Sequence, residues 1–166
     1  PAYTFSLLAQ ESVAYALKTG EPGDMMIGTS MTEADVSALM LWPHTNICTD
    51  GSLLDRHPRG AGSFPKVLGR YVRDLGRLSL EQAIHKMTGL PAEHMGLTQR
   101  GKVAEGYIAD LVLFDPDAII DRATTQAPHR LSEGVSDVWV AGRRVLQSGI
   151  NNDAFPGRVL RRRSAD

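Results

Sequence analysis

The sequence contains a single cysteine, Cys48, so no disulfide can form within the chain. That fits a reducing compartment, and a cytoplasmic location is expected. No apolar run approaches the roughly 20 residues that a membrane span needs. The first residues, PAYTFSLLAQ, lack a basic stretch and do not read as a secretion signal. They open on Pro1 rather than Met, as initiator removal or truncation would leave them. An excess of charge is missing too. Lys and Arg number 18 against 19 Asp and Glu, a net charge of −1. Neither nucleic acid nor an anionic membrane is therefore expected as a partner. The basic run RVLRRR, Arg158 to Arg163, reads as a solvated charge run. There is no phosphate-cradling glycine loop, no G-x-S-x-G nucleophile elbow and no C-x-x-C, which removes several enzyme classes.

What is present is ordinary for a folded protein, with 42% hydrophobic and 22% charged residues. A chain of 166 residues suggests one domain or parts of two. SLLAQESVAYALKTG has loosely helical spacing and ends at Gly20. DMMIGTS reads as a buried strand. Thr32 reads as the N-cap of a helix presenting Val36, Leu39 and Met40 on one face, and HTNICTD as the next strand. Strand, helix, strand in this length predicts a βαβ unit with parallel strands. Pro65 suits a first helical position, followed by a stripe of Val67, Leu68, Tyr71, Val72 and Leu75 that stops at Gly76. Ser79 and Gln82 form a capping box for a helix with Leu80, Ala83, Ile84 and Met87 on one face, ended by Gly89 and Pro91.

The pattern changes after Leu97. GKVAEGYIADLVLFD predicts a short strand, a turn at Gly106 and an apolar strand from Ala109 to Phe114. GVSDVWVAGRRVLQSG predicts a β-hairpin turning on Ala141 and Gly142. The stretch between, DPDAIIDRATTQAPHRLSE, reads as an irregular connection. Residues 1–96 thus read as part of an α/β domain and residues 97–166 as part of a small β-domain.

The chemistry centres on NICTDGSLLDRHPRG. Active sites in parallel α/β folds lie outside the carboxyl ends of the strands, and Asp50 stands where such a strand would end. His44, Asn46 and Cys48 would share its face. Asp50 is either a catalytic acid or the cap of an Asp-Gly turn. His44, Cys48, Asp50 and His57 can each ligate zinc, yet their spacing matches no structural-zinc pattern, and no metal site is assigned within the chain. Arg59 presents a planar fork suited to a carboxylate, or to a surface ion pair. His57 stands beside it across Pro58. His85, His94 and His129 have no evident partner in sequence.

Taken together, TDGSLLDRHPRGAGSFPKVLGRYVRDLGRLSLEQAIHKMTGLPAEHMGL resembles the late part of the N-acyl-D-amino-acid deacylases (D-aminoacylases), within the metal-dependent amidohydrolase superfamily. RGKVAEGYIADLVLFDP and VWVAGRRVLQSG are similar to the return into the superfamily's small sandwich and its hairpin, where Asn-Gly is more usual at the turn. The resemblance runs from about Asp24 to Arg161. It implies an α/β fold: the last strands and helices of a (β/α)8 barrel followed by part of a small β-sandwich. DMMIGTS would be the seventh barrel strand and NICTD the eighth. Asp50 then matches the family's general base on a metal-bound water, and Arg59 and His57 are candidates for the substrate region. Cys48 stands where glycine is more usual and Thr49 where serine is. The zinc ligands of the family fall upstream of the matching stretch. The resemblance therefore implies zinc in the full-length enzyme, and a chain that alone binds no zinc tightly and is inactive. Its expected partners are an N-acyl-D-amino acid and either the missing N-terminal half or, through unpaired strands, a second copy of itself. A dihydroorotase- or hydantoinase-like amidohydrolase fragment and a non-catalytic self-associating module are the alternatives.

Overall fold

The computed structural model describes residues 2–6, 25–29, 31–51 and 57–160, the first two stretches by their backbone. Two strands, β1 (Ala2–Ser6) and β2 (Met25–Thr29), pair in parallel with Ala2 opposite Met25 and Ser6 opposite Thr29. β2 is the strand expected in DMMIGTS. β1 was not expected, and the helix expected in SLLAQESVAYALKTG falls, apart from Ser6, outside the described residues.

Helix α1 (Glu33–Leu41) starts where the sequence says it should. The Thr32 hydroxyl accepts from the Asp35 N–H at 3.2 Å, and the Asp35 carboxylate accepts from the Thr32 N–H at 2.9 Å. Two orphan donors are satisfied reciprocally. Of the face expected to be buried, Met40 is buried, Val36 is half-buried and Leu39 is exposed.

Residues 44–50, expected as the next strand, form no strand. A strand is defined by its ladder partner, and among the described residues nothing pairs with this segment. Its backbone is held instead by a turn and by a later helix: Thr45 N–H donates to Trp42 O, and Ile47 N–H to Lys86 O.

The second helical stretch also departs from expectation. Helix α2 (Arg59–Lys66) begins after Pro58, and Pro65 lies inside it. Proline has no N–H to give to the carbonyl four residues back. That carbonyl, Ala61 O, accepts instead from the Ser132 hydroxyl at 2.9 Å. The helix then widens into a π-helix, Val67–Asp74, with Val67, Leu68 and Tyr71 buried, and ends at Gly76 with φ +55°. Burial first, then the Glu33 charge, pushes the Tyr71 phenol above its ordinary value. It stays protonated and donates toward Glu33 at 3.4 Å.

Helix α3 (Leu80–Met87) carries the expected Ser79–Gln82 capping box. It ends at Met87, just before Gly89, as expected. After a break at Thr88 the chain resumes as α4 (Gly89–His94), which buries Leu90 and Ala92.

The remaining elements form one antiparallel sheet in the order β3 (Leu111–Phe114), β4 (Val135–Val140), β5 (Arg143–Gln147), β6 (Ile150–Asn151). Residues 101–105 form bends and irregular backbone leading into a turn rather than the expected short strand. Ala141 and Gly142 both have positive φ, the demand of a two-residue hairpin turn whose twist matches its strands. Ser148 and Gly149 repeat that geometry before β6. The connection between β3 and β4 is irregular, as expected, and folds back along the helix of residues 59–74. Arg73 Nη1 donates to Ile119 O at 2.6 Å, and Ile119 joins Met40, Val67, Leu68, Tyr71, Leu78 and Ala83 in one core cluster. Packing therefore crosses the sequence boundary expected near residue 97.

Candidate active site

Asp50 sits on a short turn whose shape does not depend on its own side chain. The Thr49 hydroxyl accepts from the Gly51 N–H at 3.0 Å and donates to Arg59 O at 3.0 Å. The Ser63 hydroxyl lies 3.3 Å from the Thr49 oxygen and 2.9 Å from Arg59 O, so its one proton serves either acceptor. This knot ties the turn of residues 49–51 to the start of α2.

Gly51 is needed for space rather than for a left-handed backbone. A Cβ there would stand 2.3 Å from Gly60 Cα and 2.5 Å from Gly60 N, so the two backbones touch. Backbone atoms cannot rotate away as a flexible side chain would. Gly51→Ala is therefore expected to destabilise by about 1–3 kcal/mol through overpacking, and to weaken the pairing of Asp50 with Arg59. Urea unfolding of the variant checks the first effect. An unchanged midpoint would contradict the contact.

The knot brings the three residues singled out from sequence together. Asp50 Oδ2 lies 3.2 Å from Arg59 Nη1. The Arg59 backbone N–H donates to His57 Nδ1 at 3.0 Å. With Nδ1 accepting, the proton of the neutral ring is on Nε2. The Asp50 side chain is 88% exposed and that of Arg59 38%, so the ion pair orients the carboxylate and contributes little stability. Asp50 thus ends the segment as an accessible carboxylate, with a guanidinium fixed beside it. Such a pair can accept a proton and hold a second carboxylate.

His44, Asn46 and Cys48 do not line a buried strand. Cys48 is exposed, and His44 is exposed with its ring edge-on to Trp42 at 5.5 Å. No three His, Cys, Asp or Glu side chains converge into a metal site among the described residues. These residues do not fit a zinc ion by themselves. Sequence reasoning also missed Thr49, Ser63 and Gly60, whose roles come from contacts 9 to 14 residues apart. Only the Thr-x-Gly spacing hinted at a side-chain-capped turn.

Comparison with known proteins adds independent findings. The profile of the amidohydrolase family matches residues 43–146. The N-acyl-D-aspartate deacylase of Alcaligenes xylosoxydans xylosoxydans is 48% identical over 132 residues, covering 78% of this chain and 26% of that protein. A solved D-aminoacylase with a binuclear metal centre superposes with a TM-score of 0.72 at 44% identity, covering 75% of this chain and 27% of its own. The zinc- and phosphonate-bound N-acyl-D-glutamate deacylase of Bordetella bronchiseptica gives 0.67 at 44% identity, covering 69% and 25%. The chain spans about a quarter of the length of the curated relatives it matches.

Proposed function

The chain belongs to the amidohydrolase family, and from that premise we propose that it is the C-terminal part of a hydrolase that cleaves the amide bond of N-acyl-D-amino acids. The observation that carries this reading is the exposed Asp50 carboxylate, held by the Thr49–Gly51 turn beside Arg59 inside the family-matched stretch. Three deacylases of this kind are 44–48% identical to it, which supports the substrate class.

In this reading Asp50 takes a proton from the water that attacks the amide carbonyl. It returns that proton to the departing amine nitrogen as the C–N bond breaks, leaving a carboxylic acid and a free D-amino acid. One carboxylate does both jobs because the proton it accepts is the one the leaving group needs. Arg59 grips the α-carboxylate of the substrate, and as it does so its hold on Asp50 relaxes. His57 fixes the Arg59 backbone through Nδ1. Zinc belongs to the complete protein, on the precedent of the zinc-bound relative. The described residues supply no ligand set for it, and the chain alone is expected to hold none tightly. Residues 1–96 would complete a (β/α)8 barrel with the rest of the protein, and residues 97–166 a small β-sandwich, in the cytoplasm.

The test is a substrate panel on the full-length protein carrying this segment. Open-chain N-acyl-D-amino acids should be hydrolysed and cyclic ureides should not. Ring opening with no cleavage of the linear amides would move the assignment to the dihydroorotase- and hydantoinase-like enzymes. No turnover of either would favour a non-catalytic module.

A further inference from the structure

Lys86 is the one buried charged side chain among the described residues, at 6% exposure. It stands on α3, which the catalytic reading does not use. Its Nζ donates to Trp42 O at 2.5 Å and to Thr45 O at 3.3 Å. Its own carbonyl accepts from Ile47 N–H at 3.0 Å. One residue therefore holds both ends of the segment 42–47, the segment that takes the place of the strand expected before Asp50. Helix α1 has no basic residue in its last turn. The Lys86 ammonium supplies that cation from another helix, at the carbonyl of the Trp42 C-cap, where the helix dipole is negative.

We infer that Lys86 is a positioning residue that sets the path of residues 42–47 and so places Asp50. Burying an ammonium against two carbonyls is costly unless its donors are well used, and a methionine of similar length would fill the same space more cheaply. The ammonium gives what an apolar residue cannot: fixed hydrogen bonds to two carbonyls of a segment that has no strand ladder. Thr49 and Ser63 then fix the last turn, and Lys86 fixes the approach to it. The inference rests on Asp50 as the proton-handling group.

The test uses Lys86→Met and Lys86→Arg in the full-length protein, with Asp50→Asn alongside. In Lys86→Met, kcat for N-acyl-D-amino acids is expected to fall about tenfold to a hundredfold, the scale of a displaced catalytic group. KM should stay within about twofold, because the Arg59 backbone is anchored separately by His57. Exchange of the Ile47 amide hydrogen should quicken, and Lys86→Arg, which keeps the cation, should restore most of kcat. If Lys86→Met does not fold, Lys86→Gln is read in its place with the same outcomes. A folded variant with unchanged kcat, or a folded Lys86→Arg that restores none of it, would overturn the inference. Turnover that survives in Asp50→Asn would sink the catalytic reading itself, whatever the Lys86 variants do.

Discussion

Asp50→Asn in the full-length protein is expected to lower kcat for N-acyl-D-amino acids by about 10²–10⁴-fold, the range of a lost general acid–base group. Asparagine keeps the size and the hydrogen-bonding reach of the side chain but cannot take a proton at neutral pH. The substitution also separates the two meanings of an Asp-Gly pair. If Asp50 serves only to shape the turn, asparagine serves as well, since Asn-Gly is an equally good turn former. The structure removes the confounding effect on folding. The side chain is 88% exposed, and the turn is held by the Thr49 hydroxyl and the Gly51–Gly60 contact rather than by the carboxylate. The ion pair with Arg59 is worth about 0–1 kcal/mol at such exposure. Melting temperature should therefore stay nearly unchanged while turnover collapses. Turnover within a fewfold of the parent would return Asp50 to the role of turn former.

Ile119→Ala carries the largest expected loss of stability, about 2–5 kcal/mol. Ile119 is 1% exposed, and its side chain packs in the cluster with Met40, Val67, Leu68, Tyr71, Leu78 and Ala83. The cost depends on whether the site can collapse around the missing atoms. Here the backbone is pinned on several sides. Arg73 holds Ile119 O, a Cβ on Gly69 would meet that same oxygen at 2.7 Å, and a Cβ on Gly134 would stand 2.5 Å from Ile119 N. With those contacts in place the cavity stays open, so the loss belongs in the upper half of the range. At roughly 2–4 °C per kcal/mol for a chain of this size, thermal unfolding resolves it easily. A loss below about 1 kcal/mol would mean that the connection between β3 and β4 does not pack on the helix as described.

The features legible in the sequence are those whose cause is local. Thr32 and Ser79 cap helices through N–H groups three residues away, and Ala141-Gly142 turns a hairpin because both residues accept positive φ. Features whose cause lies far along the chain were misread. Residues 44–50 follow a helix and read as the next strand of a βαβ unit, but a strand needs a neighbour, and here the backbone bonds to Lys86 instead. Pro65 satisfies the rule for a first helical residue, yet sits mid-helix because Ser132, 71 residues beyond Ala61, takes over the orphaned carbonyl. No local pattern announces that exchange. Asp50, His57 and Arg59 were readable as residue types near a strand end. Their convergence was not readable, because it runs through hydroxyls of Thr49 and Ser63 that look ordinary in sequence.

On the proposed function, this segment contributes the proton-handling carboxylate, and the metal ligands come from outside the described residues. Zinc-supplemented hydrolysis of an N-acyl-D-amino acid by the purified 166-residue chain, beside the full-length protein and with bound zinc counted in both, decides this. Turnover and tight zinc are expected in the full-length protein and neither in the chain alone. Comparable turnover by the chain alone, with about one zinc held per chain, would contradict it.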